Sequence, residues 1–240
     1  MPDRIENEII QGKYLVSNNP AKIWNWGSSA GIVRKQRRVN MLSQLITSNM
    51  TVLEVGCGSG EFTKEFQKTQ ADIFAIDVSP ELLDFAKRSI TATNVHFQLQ
   101  NAFKMNFENN KFDAVIGSSV LHHLDVKSAL TEFSRVLKPG GIIAFTEPNM
   151  LNPHIFIERK FRFLFKHVTP DETAFIKFSI QKLLEKSGFE AVKIFSFDWL
   201  HPIIPSALIP VVKRLGSIAE SLPLVKEFSG SLYIYAKKKQ

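Results

Sequence analysis

The 240-residue chain has one cysteine, Cys57, so it forms no disulfide within itself, and a reducing, cytoplasmic setting is the simplest expectation. It has no run of 18 apolar residues. The nearest, "WLHPIIPSALIPVV" (Trp199 to Val212), is too short for a membrane span and is broken by three prolines. The opening "MPDRIENEII" lacks the basic-then-apolar order of a secretory signal. Internal repeats and low-complexity tracts are absent. The charged fraction, 22%, is too ordinary for a disordered chain, and 44% apolar content suits one sizeable core. The net charge of +7 is spread over "RKQRR" (34–38), "ERKFRFLFK" (158–166) and "KKK" (237–239). Clusters this short and scattered read first as solvated faces, so nucleic acid is disfavoured as a partner.

What the chain does have is alternation. Residues 1–20 read as polar and unpatterned. "AKIWNWGSSAG" follows, then a helix over "IVRKQRRVNMLSQLIT". From Thr51 strands and helices take turns: "TVLEV", then helix "GEFTKEFQKT"; "DIFAID", then helix "SPELLDFAKRSI"; "NVHFQLQ"; "KFDAVIGSS", then helix "VKSALTEFSRVLK"; and a "PGG" turn into "IIAFTE". Ser79 suits the cap of the second helix and Pro80 its first position. This spacing argues for a parallel sheet with helices on both faces. Beyond it, "TPDE" has capping-box form with Thr169 and Glu172, "SIQKLLEKSGF" is a helix ended by Gly188, and "FEAVKIFSF" and "SLYIYAKK" are strands. Asp198 to Gly230, apolar and proline-rich, is too long for a plain connection and is expected to fold over the sheet.

The loop "VLEVGCGSG" (Val52 to Gly60) carries glycines at 56, 58 and 60. The dinucleotide fingerprint needs G-x-G-x-x-G, and Glu61 stands where its third glycine would be. A carboxylate at a helix start opposes a pyrophosphate, and no lysine follows as in a Walker loop. The ligand is therefore not held by phosphates. Asp77 ends the second strand and can accept both hydroxyls of a ribose, while Glu54 offers an acceptor to an ammonium group. Ribose plus ammonium without phosphate describes S-adenosylmethionine.

"VLEVGCGSG", "AIDVSPELLDFAK", "FDAVIGSSVLHHL" and "EFSRVLKPGGIIAFTEPN" resemble four successive motifs of class I S-adenosylmethionine-dependent methyltransferases, over roughly Thr51 to Asn149. Within that family the chain is most similar to the small-molecule and quinone-type branch (methyltransferase domain type 11). The resemblance implies a Rossmann-like, doubly wound, seven-stranded, mostly parallel sheet with the last strand antiparallel. It implies a single methyltransferase domain over 1–240: an N-terminal helical lid (1–50), a cofactor-binding core (51–149) and a C-terminal part (150–240) with substrate-covering insertions at 150–170 and 198–230. Gly56, Cys57, Gly58 and Gly60 would wrap the methionine part of the cofactor, with Cys57 as loop filler. Asp77 would hold the ribose and Val78 flank the adenine. Asn101, where relatives often carry aspartate, would meet the adenine edge with Ala102, and Ser118 would line the methionine side. S-adenosylhomocysteine would be the product.

Methyl transfer is an in-line displacement that alignment in a dry site can accelerate. A hydroxyl or ammonium acceptor must also lose a proton, so a base helps. "SSVLHHL" offers His122 and His123 beyond the fourth strand, and Glu147 ends the fifth. His123 is the preferred base, with Glu147 orienting the histidine. Packing of both histidines, with catalysis by proximity alone, is the competing reading. The family motifs for nucleic-acid amines, cytosine C5 and protein arginine are missing after the fourth strand. Only Glu147 and Asn149 are available for magnesium, so no metal is expected. Trp24, Trp26 and Arg162 are candidates for a substrate-facing lid. The expected acceptor is a small, partly apolar molecule, methylated on O, or on N or C. A lipid or lipid-linked acceptor at a membrane surface is the alternative, RNA a weaker one, and a non-catalytic cofactor-binding protein another.

Overall fold

The computed structural model describes residues 4–161 and 173–240. The apolar, β-branched runs form the middle of a sheet covered on both faces, as such runs must. β1 (Thr51–Val55), β2 (Asp72–Asp77), β3 (Val95–Leu99), β4 (Phe112–Ser118) and β5 (Leu137–Pro148) are mutually parallel. β7 (Ser231–Lys238) runs antiparallel between β5 and β6 (Phe189–Phe197). The order is β3-β2-β1-β4-β5-β7-β6, the seven-stranded doubly wound sheet expected, with the last strand antiparallel next to the edge.

Strand periodicity divides the core into two layers. Val52, Ala114 and Ile116 face α3 (Ser29–Ser43) through Val39 and Leu42. Leu53 and Val115 face the other way, with Leu130 and Phe133 of α6 (Val126–Val136) and Leu184 of α8 (Lys177–Lys186). The chain winds outward from β1 to β3, then returns to β4. The strand order therefore reverses between β1 and β4, and a crevice opens at their C-terminal ends.

Three elements depart from expectation. α1 (Arg4–Ser17) forms where the sequence reads as unpatterned; α2 (Pro20–Ile23) follows it. The helix after the glycine loop is short, α4 (Thr63–Phe66) plus one tighter turn. "PGG" lies inside β5: Gly140 has φ 74°, and the β4–β5 register shifts between Phe112 and Ala114. α5 (Pro80–Ser89) is as expected, with Ser79 Oγ accepting from the Leu82 amide. α7 (Pro153–Lys160) follows β5. The Thr169–Glu172 capping box lies outside the described residues.

The Asp198–Gly230 insertion is closed at its base, where the Gly230 amide donates to the Asp198 carbonyl at 2.8 Å, and it contains α9 (Ile209–Ser221). Ion pairs bind it to α3. Asp198 meets Arg34 at 2.9 Å and Arg38 at 2.8 Å, and Arg37 meets Glu220 at 2.6 Å. Burial pulls Arg38 down to about 10. Burial alone would raise Asp198, but the two guanidiniums outweigh it and hold the carboxyl below its ordinary range.

Candidate active site

β1 stops at Val55 because Gly56 turns the chain with φ 65°; a Cβ there would lie 2.3 Å from Val120 Cγ2. The loop amides are engaged inside the protein. Cys57 donates to the Ile76 carbonyl (3.0 Å), Gly58 to Asp77 Oδ2 (2.8 Å) and Gly60 to the Cys57 carbonyl (2.9 Å). Glu61 beyond them also lines the site and pairs with Lys35 at 2.6 Å. A pyrophosphate would meet three amides that already donate inside the protein, and a carboxylate.

The loop borders a cavity of about 320 Å³ at the C-terminal ends of the parallel strands. Gly56, Cys57 and Gly58 form one wall, and Asp77 and Val78 the next. Asp77 is buried. Besides Gly58, it accepts from the Ser79 amide through Oδ1 at 2.9 Å. Burial raises its pKa against those hydrogen bonds. Asn101 and Ala102 close the far side with Phe103, whose amide donates to Asn101 Oδ1. Ser118 is in the wall, accepting from Thr146 Oγ1 at 2.8 Å, and Ser119 beside it has φ 56°.

The two histidines sit in a tight turn after β4 and their side chains part company. His122 is buried, with Nδ1 2.7 Å from Glu147 Oε2; Glu147 Oε1 accepts from the amides of Val120 and Leu121. Burial pushes Glu147 up to about 7 against those hydrogen bonds. His123 turns toward α1, with Nδ1 2.9 Å from Glu8 Oε1, and its carbonyl accepts from Arg4. Both histidines line the cavity, their ring centroids 4.2 Å apart. Glu147 thus holds His122 rather than His123, the preferred base, because adjacent residues of a turn point in different directions.

The roof is α1. Arg4, Glu8, Gln11 and Leu15 face the cavity, and Gly12 lets the helix come close to α5. Trp24 and Trp26 also line it, Trp24 over the glycine loop and Trp26 edge-on to Phe62 at 5.4 Å. Glu54 and Gly60 are not in the wall. Gly60 faces Ile90 and Ala86. Glu54 is buried behind the loop, and its Oε2, Ser59 Oγ and Thr63 Oγ1 have no hydrogen-bond partner among the described residues. Burial pushes Glu54 up to about 8. No described residue of 150–161 or of 198–230 lines the cavity; the latter segment is drawn toward α3 by its ion pairs. Arg162 lies outside the described residues. Reading the sequence missed Arg4, Glu8, Gln11, Phe103 and Ser119.

The donor set fits the adenosine part of S-adenosylmethionine: a carboxylate for hydroxyls, an apolar slot between Val78, Ala102 and Phe103, and no phosphate cradle. Residues 53–145 match the family model described as a methyltransferase domain. A demethylmenaquinone methyltransferase of Staphylococcus saprophyticus is 27% identical over 217 residues, covering 78% of this chain and 88% of that one. An uncharacterised methyltransferase of Schizosaccharomyces pombe is 34% identical over 117 residues, 44% of this chain; the match spans only 42% of that relative's length. An S-adenosylmethionine-dependent methyltransferase of Thermotoga maritima shares the fold with a TM-score of 0.71 at 16% identity, covering 96% of this chain and 99% of that one. Fold, glycine loop and matches agree, and the chain belongs to the class I S-adenosylmethionine-dependent methyltransferases.

Proposed function

We propose that the protein moves a methyl group to an oxygen, or to a nitrogen or carbon, of a small, partly apolar molecule, with His122 as the base where the acceptor must lose a proton. The observation that carries this is the buried His122–Glu147 pair on the same cavity as Asp77 and the glycine loop. When bound, S-adenosylmethionine supplies an electrophilic methyl group on sulfur. Asp77 accepts from the ribose through the lone pairs that Gly58 and Ser79 leave. Val78, Ala102 and Phe103 flank the adenine, Asn101 meets its edge, and Gly56, Cys57, Gly58 and Ser118 line the methionine end. Glu54, behind the loop, is given no direct contact. Glu147 fixes the His122 ring by Nδ1, so Nε2 is the nitrogen that takes the proton. His123, tied to Glu8, holds α1 over the site. Trp24 and Trp26 give the acceptor an aromatic roof.

A cavity of about 320 Å³ lies at the lower end of the roughly 300–1,000 Å³ of small-molecule sites, and α1 is the element that would move outward to admit an acceptor beside the cofactor. Relatives named demethylmenaquinone methyltransferase make demethylmenaquinone the first acceptor to test. With an acceptor that is turned over, His122→Asn should lower turnover by about 10²-fold or more, leaving cofactor affinity within a few-fold. His123→Asn should affect turnover less. Near-normal turnover in His122→Asn would end the base assignment and leave alignment as the mechanism.

A further inference from the structure

α9 and its flanking loops expose more large aliphatic side chains than a solvated surface element should. Leu208, Val211, Leu215, Ile218 and Leu222 recur at alternating steps of three and four, which puts them on one face of the helix. That face is turned outward: Leu215 is 59% exposed and the other four about as much. The opposite face is the one that packs, with Gly216 buried against Trp199 and Glu220 on Arg37. The apolar surface continues past the helix at both ends, where Ile203 is 79% and Leu224 81% exposed.

Charge and position say what covers this face. Lys213 and Arg214 are exposed and have no acidic partner among the described residues, whereas the nearby acids are neutralised, Glu220 by Arg37 and Glu227 by Lys177. Helical spacing puts Arg214 beside the apolar stripe. A second copy of the chain would be the occupant of a heptad seam, but 208–222 is two heptads, short of the roughly three to four that sustain a coiled coil. The stripe also opens at both ends into loop residues that no partner helix would cover. The insertion leaves the sheet where Ser231 pairs with Pro148, and Pro148 lines the cavity. The insertion therefore joins the sheet at the end where the cavity lies.

We propose that α9 with its flanking loops docks the protein on a membrane surface containing anionic lipid. The helix lies in the interface plane with its apolar stripe among the acyl chains and Arg214, at the edge of the stripe, at the headgroups. The proposal concerns binding and stands whether or not the His122 assignment holds.

The test is co-sedimentation of the whole chain with vesicles of phosphatidylcholine alone and of phosphatidylcholine mixed with phosphatidylglycerol. The chain should bind the mixed vesicles, and Leu215→Glu with Ile218→Glu should weaken that binding at least roughly tenfold. Both positions are exposed, so the circular dichroism and thermal midpoint should stay as in the parent. Arg214→Glu should weaken binding to mixed vesicles only. Three results would overturn the proposal: no binding of the parent chain to mixed vesicles; equal binding by the folded double variant; or a parent dimer in light scattering that the double variant turns into monomer, which would assign the face to a second copy.

Discussion

Replacing Gly12 by alanine should prise α1 off α5. A Cβ at this position would lie 2.1 Å from Ser79 Oγ and 2.6 Å from Ser79 Cβ. Ser79 has little freedom to move, because it is buried and its Oγ accepts from the Leu82 amide at 3.3 Å to cap α5. Losing such a cap costs about 1 kcal/mol. Overpacking a close contact costs about 1–3 kcal/mol, and alanine in place of glycine returns about 1 kcal/mol of helix propensity. The propensity gain applies to α1 docked or undocked, whereas the clash exists only when it is docked. A loss of about 1–3 kcal/mol therefore falls on closure of the roof, a factor of roughly 5–150. Since Arg4, Glu8, Gln11 and Leu15 reach the cavity only from a docked α1, cofactor affinity should fall by a similar factor. Amide hydrogen exchange reads the first effect and calorimetry the second. Residues 4–17 should exchange faster while β1 and β4 keep their protection. Adding Ser79→Ala should recover part of the loss by removing the hydroxyl. If exchange and affinity both match the parent, α1 is not held by this contact and the account of the roof is wrong.

Asp77→Asn should weaken S-adenosylmethionine binding by about 1.5–3 kcal/mol, the range for a hydrogen bond to a charged group; calorimetry showing unchanged affinity would remove the ribose assignment. Glu54 stays protonated in the fold up to about 8 against an ordinary value of 4.5. Between those values the unfolded chain loses the proton first, so stability falls as pH rises, by at most about 1.4 kcal/mol per unit. Glu54→Gln should therefore gain on the parent by a few kcal/mol between about pH 5 and pH 8 in urea denaturation, and a difference independent of pH would contradict the burial argument. Asp198→Asn leaves Arg38 buried and Arg34 half-buried without their shared anion, and should cost about 3–5 kcal/mol in the same assay; a loss below 1 kcal/mol would show that the insertion is held otherwise.

The sheet was legible because its signals are local. Apolar runs with glycine or proline breaks recover six of the seven strands to within a residue or two and the second half of β5, whose start at Leu137 the Pro139–Gly141 stretch concealed, and Ser79 with Pro80 marks the start of α5. The glycine loop was legible through the residue that does not belong to a phosphate site, Glu61. α1 was not legible as a pattern, although Ile5, Ile9, Gly12 and Val16 fall on one helical face. The polar Arg4, Glu8 and Gln11 interrupt the stripe because they face the cavity rather than solvent or core. Which histidine Glu147 pairs with was not legible, because strand order places it near both, and only the direction of each side chain separates them. The insertion was expected over the substrate; five charged residues, Arg34, Arg37 and Arg38 on α3 with Asp198 and Glu220 distant in sequence, anchor it instead on α3, and no periodicity encodes a pair of that kind.

The central claim is that cofactor and histidine pair meet in one cavity under α1. The most direct measurement is a crystal structure of the chain with S-adenosylhomocysteine. The ribose hydroxyls should lie on the Asp77 carboxylate, the adenine between Val78 and Phe103, and the sulfur at the Ser118–His122 end. A ligand bound with its ribose away from Asp77, or with its sulfur remote from His122, would contradict that claim.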